Sequence, residues 1–192
     1  MARLTRAFYD RDPRELAPEL LNKVLVSTEA GTRVAARIVE VEAYRGSADP
    51  ASHAYRGRTL RNATMFGRPG HLYLYFVYGM HWCFNAVTGR EGRPAAVLVR
   101  GLEPLSGFDG PVRLDGPARL CRALDITGAQ NGADLLTSEL RILDAPAVPG
   151  RAVERGPRIG VDYAKEWAQA PLRFWVQGSP GVSGGRRPRP RR

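Results

Sequence analysis

The chain has 192 residues, a length that fits one domain able to bury a hydrophobic core without disulfides. Its 29 basic and 19 acidic side chains give a formal net charge of +10, and all but two of the cations are arginine, which favours a polyanionic partner such as nucleic acid. Two cysteines exclude a disulfide scaffold, no Cys/His cluster has zinc spacing, and no apolar run approaches the roughly 20 residues of a membrane helix. We therefore expect a soluble protein of a reducing compartment, with no metal and no membrane partner.

Apolar periodicity and turn residues divide the chain into many short strands and a few helices. Helices are predicted at 13–22, where leucines form one stripe, and from a start at Asp115-Gly116-Pro117, where proline suits the first turn. The predicted strands are 23–28, 33–44, 71–78, 81–88, 95–102, 140–145 and 171–176. Because strands dominate, we predict an α+β fold with a single mixed domain over residues 1–183. Residues 184–192 hold five arginines and few apolar groups, which predicts a disordered basic tail.

Two glutamates lie near the end of the second predicted strand, in the run RIVEVEAY. Period-two alternation places Glu40 and Glu42 on one face of the strand, together with Ile38. Val39 and Val41 then lie on the opposite face. Two like charges on one strand face indicate either an acid in a cleft or carboxylates paired with arginine. A solvated strand face is the alternative that the residues leave open.

Alternating aromatic residues follow in HLYLYFVY, which precedes a Gly-Met turn and a second strand, HWCFNAVT. This pattern predicts a β-hairpin with Tyr78 exposed at or beside its tip. The loop between Tyr44 and the hairpin holds His53 and should fold back across the sheet, so that acids and aromatic side chains can face one cleft. Beyond the hairpin, AAVLVRGL is typical of a central strand, and we expect Arg100 to emerge near the edge of the sheet.

The motifs VEVEAYRGSADPASHA, RNATMF, PGHLYLYFVYGMHWCFN, VLVRGLEPL and GPARLCRAL resemble those of the alkyladenine (methylpurine) DNA glycosylases, in the same order and at similar spacing. With ERGPRIGV and PLRFWVQGSPGVS, the resemblance covers about residues 16–183. It implies an α+β fold with a curved, mainly antiparallel sheet, surrounding helices and a protruding β-hairpin. It also implies a monofunctional hydrolase of N-glycosyl bonds that acts on double-stranded DNA containing damaged purines. Such an enzyme needs no cofactor and no obligate protein partner, and it works in the cytoplasm at the nucleoid or, in a eukaryote, in the nucleus.

The resemblance implies a role for each candidate residue. Glu42 falls at the position of the family's catalytic glutamate, a general base that deprotonates the water attacking the C1′ carbon of the sugar. Tyr44, His53 and Tyr75 fall at base-pocket positions, where aromatic rings favour electron-poor or cationic alkylated purines. Asn85 falls where the family has an asparagine beside the pocket, which could clash with the amino group of guanine. Bonding to a strand-end carbonyl is the alternative role for this amide.

Two further residues match family positions that contact DNA. Tyr78 matches the intercalating tyrosine, a wedge that fills the space left by a flipped-out base, and the alternative is a side chain folded onto the sheet. Arg100 matches a basic residue near the active site, expected on a phosphate beside the flipped nucleotide. Neither Lys23 nor Lys165 falls in the site region, which agrees with base release without strand cleavage.

Two other functions stay open from the residues alone. A non-catalytic nucleic-acid-binding module would share the basic charge and the aromatic side chains but would not need Glu42. A glycosidase for free nucleosides or sugars would use Glu40 and Glu42 as its carboxyl pair, although an exposed Tyr78 and the arginine surplus argue against it. The predicted function is therefore the removal of alkylated or deaminated purines, such as 3-methyladenine, with hypoxanthine as a further candidate.

Overall fold

The computed structural model describes residues 1–28, 31–77 and 79–184, and the strands in this part of the chain form one antiparallel sheet. The strands are β1 Val24–Ser27, β2 Val34–Tyr44, β3 Leu72–Val77, β4 His81–Val87, β5 Ala96–Ser106, β6 Arg141–Leu143, β7 Val153–Gly156 and β8 Arg173–Val176. They run in the order β3-β4-β5-β2-β1-β6, and β8 pairs with both β2 and β7. β2 lies at the centre, because its first half pairs with β1, its second half with β8, and most of its length with β5. The predicted strands and the mixed α+β class with a curled antiparallel sheet are confirmed, and β7 is a strand that the sequence did not predict.

Within the described residues, three short α-helices accompany the sheet: α1 Arg6–Tyr9, α2 Pro13–Leu20 and α3 Pro117–Ala123. α2 begins where the Asp12 side chain accepts a hydrogen bond from the amide of Arg14 at 2.8 Å. Pro13 occupies the first turn, where an amide would have no partner inside the helix. Leu16 and Leu20 face the core from this helix. Short 3-10 helices lie at Gly46–Ala48, Ala63–Phe66, Gly128–Gln130, Gly150–Ala152 and Asp162–Gln169.

The main core fills the space between the sheet and the helices α2 and α3. Leu16 and Leu20 of α2, Phe84 of β4, Val99 of β5 and Leu120 of α3 belong to one apolar cluster and have no exposed surface. Each such side chain contributes roughly 1.5–3 kcal/mol through burial. This cluster therefore fixes the helices on the sheet and gives the site a rigid support.

The register of β2 against β5 shifts twice between Ile38 and Val41, and the irregularity lies beside Arg100 of β5. A bulge of this kind changes the face on which the following side chains lie. Ile38 consequently packs in the same core cluster as Val41. The prediction that Ile38 shares a face with Glu40 and Glu42 is therefore wrong, because the bulge interrupts strict alternation along the strand.

β3 and β4 form the predicted hairpin, and its tip projects beyond the core. The residues near the base of the two strands are buried, whereas Phe76 and Trp82 near the tip are only partly buried and stack with ring centres 4.6 Å apart. Met80 in the turn is exposed. Tyr78, the predicted wedge, lies outside the described residues, as do residues 185–192 of the predicted tail.

Candidate active site

Glu42 is completely buried near the end of β2, and each of its carboxylate oxygens accepts a hydrogen bond. The Tyr44 hydroxyl donates to Oε2 at 2.7 Å, and the Ile159 amide donates to Oε1 at 2.8 Å. Arg100 Nε lies 3.3 Å from the same Oε1. Two neutral donors and one cation, from three separate parts of the chain, thus converge on this one acid.

Burial raises the pKa of Glu42 above the usual value for a glutamate, because a charged carboxylate is costly away from water. Arg100 and the hydrogen bonds from Ile159 and Tyr44 act in the opposite direction by stabilising the ionised form, and Glu40 adds a smaller increase. A carboxylate with a raised pKa holds a proton more strongly than an exposed one. The surroundings of Glu42 therefore suit a general base.

Glu40, the second acid of the pair, is also completely buried, but it serves as an anchor for the C-terminal segment. Arg173 Nε donates to its Oε1 at 2.6 Å. Ser183 donates to both oxygens, from its hydroxyl at 2.9 Å and from its amide at 2.5 Å. Arg100 Nε approaches the same Oε1 at 3.3 Å. The two acids therefore have different surroundings, and Glu40 has its oxygens occupied by structural partners.

Arg100 lies on an interior strand between β4 and β2, so the prediction that it emerges near the edge of the sheet is wrong. Only 10% of its side chain is exposed, and its Nε lies 3.3 Å from an oxygen of both Glu40 and Glu42. It nevertheless contributes to the wall of the pocket described next. The predicted contact with a DNA phosphate stays a prediction, while the partners observed here are the two acids.

A pocket of about 450 Å³ opens beside Glu42. Its wall includes Tyr44, Arg100 and Ile159, which contact the carboxylate, and Glu42 itself lies buried behind them. The other lining residues are Ala51, Ser52, His53, Met65, Tyr73, Tyr75, Val77, Cys83, Asn85, Ala96, Leu98, Pro117, Gly160, Val161 and Tyr163. The structure thus brings all four residues that were predicted to bind the purine together in one pocket, next to Glu42, the predicted general base.

One wall of the pocket is a stack of aromatic rings. His53 lies against Tyr75 with ring centres 3.6 Å apart and planes 32° apart, and its Nδ1 is 3.2 Å from the Tyr73 hydroxyl. The guanidinium of Arg61 lies over the Tyr75 ring, 4.4 Å from its centre. Burial lowers the pKa of His53 to about 4, and the nearby Arg61 acts in the same direction. The imidazole is therefore neutral at physiological pH and presents an aromatic face without positive charge.

Tyr44 belongs to both the acid and the pocket. Its hydroxyl donates to Glu42, while its ring lines the pocket and carries the guanidinium of Arg158 4.7 Å from the ring centre. Burial and the adjacent Glu42 raise the pKa of Tyr44 well above its usual value. The phenol therefore stays protonated and remains a hydrogen-bond donor to the carboxylate.

Asn85 lies on β4 and lines the pocket with a fixed amide. Its Nδ2 donates to the carbonyl oxygens of Tyr73 at 3.2 Å and of Cys83 at 3.0 Å. The alternative role considered for this residue, bonding to strand carbonyls, is thus observed together with the pocket position. Because both hydrogens of the amide are engaged, the side chain is held in one orientation.

A buried ion pair between Asp49 and Arg158 lies beside the pocket, and it was not predicted from the sequence. Arg158 Nη1 and Nη2 lie 2.5 and 2.9 Å from the two oxygens of Asp49, and both side chains are completely buried. In a chain with this many arginines, nothing local separates a buried arginine from the exposed ones. The only available signal was the family motif GPRIG, which contains Arg158 but does not assign it a partner.

In residues 1–28, 31–77 and 79–184, no helix is both long enough and apolar enough to cross a membrane. The same ranges contain no group of three or more His, Cys, Asp and Glu side chains arranged to hold a metal ion.

Comparison with known families identifies the class of protein to which this fold and this pocket belong, the DNA glycosylases, which hydrolyse N-glycosyl bonds. Residues 7–180 match the model of the family described as Methylpurine-DNA glycosylase (MPG). The chain belongs to this family, and the resemblance inferred from its motifs is confirmed.

Curated relatives from several organisms match nearly the whole chain, and each of the three described next carries the name "Putative 3-methyladenine DNA glycosylase". The protein of Myxococcus xanthus (strain DK1622) is 50% identical over 182 residues, which cover 95% of this chain and 94% of the relative. That of Anaeromyxobacter dehalogenans (strain 2CP-C) is 53% identical over 182 residues, covering 94% and 86%. That of Methanocella arvoryzae is 49% identical over 192 residues, covering 94% and 95%.

Proposed function

We propose that this protein is a monofunctional DNA glycosylase that removes alkylated or deaminated purines from duplex DNA by hydrolysis. Its principal substrate is 3-methyladenine, the base in the names of its relatives, and hypoxanthine is a further candidate. One observation carries the proposal: Glu42 is a buried acid held directly behind an aromatic pocket by three residues that line that pocket.

Glu42 acts as the general base. Its carboxylate accepts a proton from water while the water oxygen forms a bond to C1′ of the sugar. The bond from C1′ to the purine nitrogen breaks, and its electron pair leaves with the purine. An alkylated purine that is already cationic departs as a neutral base, so it needs no acid. A neutral purine such as hypoxanthine needs a proton from elsewhere, which makes the cationic bases the easier substrates.

Arg100 and Tyr44 favour the ionised form of the buried acid. An unpaired carboxylate in the interior would be protonated and could not act as a base. The cation at 3.3 Å and the hydroxyl at 2.7 Å offset part of the cost of burial. The raised pKa that remains increases the affinity of Glu42 for the proton of the water.

The rings of Tyr44, His53 and Tyr75 select damaged bases by stacking. Alkylated purines are electron-poor or cationic, and a dry aromatic pocket holds them better than ordinary bases by roughly 1–2 kcal/mol. The neutral state of His53 supports this role, because a protonated imidazole would repel a cationic base. The fixed amide of Asn85 is suited to exclude guanine, whose amino group would clash with it.

The hairpin β3-β4 is proposed to insert a side chain into the DNA when the damaged base is flipped out of the duplex. Extruding a base from the duplex costs a few kcal/mol of stacking and pairing, and an inserted side chain can hold the distorted DNA open. The proposed wedge is Tyr78. The projecting hairpin tip, with Phe76, Trp82 and Met80 incompletely buried around it, supports this assignment.

A lyase reaction would need an amine that attacks C1′ to form a Schiff base. Among the described residues that line the pocket there is no lysine. Lys23 pairs with Asp144 at 2.7 Å, and Lys165 lies on the exposed side of the segment Asp162–Gln169. These positions support a monofunctional enzyme.

The alternative of a sugar glycosidase with two catalytic carboxyl groups is disfavoured by Glu40. Besides Arg100, its oxygens bond to Arg173 and Ser183, which do not line the pocket, whereas all three partners of Glu42 line it, so the two acids do not form a carboxyl pair around one pocket.

The proposal is tested with a panel of duplexes, each with one modified purine, and with the matching free nucleosides as a second set of substrates. Free base is measured by chromatography, strand breaks on a denaturing gel, and each reaction is run with and without a chelator. We expect base release from the duplexes, intact strands and no effect of the chelator. Equal cleavage of free nucleosides, direct strand breaks or inhibition by the chelator would each contradict part of the proposal.

A further inference from the structure

We infer that Asp49 and Arg158 form a clasp that positions Glu42 and the base-binding loop for the reaction, an inference that rests on the proposed function. Neither residue lines the pocket, and their hydrogen bonds go to each other and to the backbone of the segments that carry Glu42 and His53. They are positioning residues that act through their neighbours.

Arg158, the arginine of the clasp, contacts the two residues that follow Glu42 in β2 and precedes the residue whose amide bonds to Glu42. Arg158 Nη1 donates to the carbonyl oxygen of Ala43 at 3.0 Å, and Ala43 lies between Glu42 and Tyr44 in the strand. The guanidinium also covers the Tyr44 ring at 4.7 Å. The next residue along the chain, Ile159, donates its amide to Glu42 at 2.8 Å. Fixing Arg158 therefore fixes the strand that carries the acid and the amide that bonds to it.

The aspartate end of the clasp shapes the loop that leads to His53. Asp49 Oδ2 accepts the amide of Arg45 at 3.1 Å, and Oδ1 accepts the amide of Ala51 at 3.0 Å. The carbonyl oxygen of Asp49 accepts the amide of Ser52 at 2.8 Å. One carboxylate thus sets the course of the backbone just before His53, and Arg158 ties this loop to β2.

The two segments joined by the clasp meet again at the rim of the pocket. There the Tyr163 hydroxyl donates to the carbonyl oxygen of Ala51 at 3.0 Å. Tyr163 and Ala51 both line the pocket. Loss of the clasp would therefore release both the acid and the rim from their fixed places.

Stability alone does not account for this pair. Removing two charges completely from water costs about as much as their attraction returns, and apolar replacements are often neutral or stabilising. In addition, Arg158 Nε is buried and has no hydrogen-bond partner among the described residues, which adds a further cost. A pair that is costly to bury but joins three segments around Glu42 is better explained by positioning than by stabilisation.

The pH dependence of the rate reports on the clasp. The titratable and charged groups that act on or respond to Glu42 are Glu40, Tyr44, Cys83, Arg100, Arg158 and Tyr163. Loss of Arg158 removes a nearby cation and loosens the Ile159 hydrogen bond, and both changes favour the protonated carboxyl group. The pH at which activity falls on acidification should therefore move upward.

The decisive variant is Arg158→Met, which keeps an unbranched apolar stem and removes the guanidinium with its charge and its donors. Single-turnover release of 3-methyladenine from methylated duplex DNA should slow by at least about tenfold at neutral pH, because a small displacement of a reacting group has a large kinetic effect. Binding to a duplex with one modified purine should weaken less than the rate. Arg158→Lys should recover part of the rate. As a matched control, Lys23→Met removes the Lys23–Asp144 ion pair away from the pocket and should change neither the rate nor its pH dependence.

A folded Arg158→Met protein with the wild-type rate and pH profile would overturn the inference, as would an equal loss of rate in Lys23→Met. If Arg158→Met does not fold, Asp49→Asn, with nearly the same side-chain shape, tests the positioning through the rate: the rate should fall by at least about tenfold, and a folded Asp49→Asn protein with the wild-type rate would overturn the inference. Because Arg158 keeps its charge in this variant, the upward shift in pH is not expected. Glu42→Gln separates the two proposals. If that variant still releases base, the proposed function fails, whereas an inactive Glu42→Gln with a fully active Arg158→Met overturns only the clasp.

Discussion

Replacing Tyr44 by phenylalanine tests whether the hydrogen bond from its hydroxyl favours the ionised form of the Glu42 carboxylate. The substitution removes the hydroxyl that donates to Glu42 at 2.7 Å and keeps the ring that lines the pocket. A hydrogen bond to a charged group is worth about 1.5–3 kcal/mol, which corresponds to about a 10- to 100-fold change in an equilibrium. Its loss favours the protonated form, so the pKa of Glu42 should rise further.

Whether the rate rises or falls in this variant follows from the role of Glu42 as the general base. Only ionised Glu42 can accept a proton, so the rate falls as the pH drops through its pKa, and a higher pKa moves this fall to higher pH. On the acid side, we expect Tyr44→Phe to release purine about 10- to 100-fold more slowly than the wild type. At higher pH, its rate should approach the wild-type rate. The measurement is single-turnover release of 3-methyladenine from methylated duplex DNA across a range of pH.

Tyr73→Phe is the matched control for this experiment. It removes a hydroxyl from the same pocket, 3.2 Å from His53 Nδ1, and Tyr73 donates no hydrogen bond to Glu42. Its pH profile should coincide with that of the wild type. If the profile of Tyr44→Phe also coincides with it, the hydroxyl does not tune the acid and the reasoning is refuted.

Two further substitutions test the proposed role of the hairpin in DNA binding and the packing of the core. Tyr78→Ala should weaken binding to a lesion duplex more than to an undamaged one, because the extruded state loses its wedge; an unchanged preference in a binding titration would remove Tyr78 from this role. Phe84→Ala, in the centre of the main core, should lower the free energy of unfolding by about 3–5 kcal/mol, measured by urea denaturation. A loss well below that range would mean that this region packs more loosely than described.

Elements with strong local signals could be predicted from the sequence. The helix α2 follows from its stripe of leucines, and the hairpin β3-β4 follows from its alternating aromatic residues and glycine turn. The gathering of Tyr44, His53, Tyr75 and Asn85 in one pocket followed from the family resemblance, and the residues alone left each of them ambiguous.

What could not be predicted depends on contacts between distant parts of the chain. The bulge between Ile38 and Val41 has no local signal, because it is set by how β2 pairs with β5. It also places Arg100 between two acids in the interior, where an apolar run suggested a residue near the edge of the sheet. The Asp49–Arg158 pair joins residues more than 100 positions apart. Charge alone cannot indicate which of many arginines is buried.

The substitution of Glu42 by glutamine tests the central claim most directly. It keeps the size of the side chain and its place behind the pocket but removes the ability to accept a proton from water. Glu15→Gln, an exposed change on α2, serves as the control for altered charge. In single-turnover assays on methylated duplex DNA, Glu42→Gln should release no 3-methyladenine while still binding a lesion duplex. Release at the wild-type rate would contradict the role of Glu42 as the base that activates water.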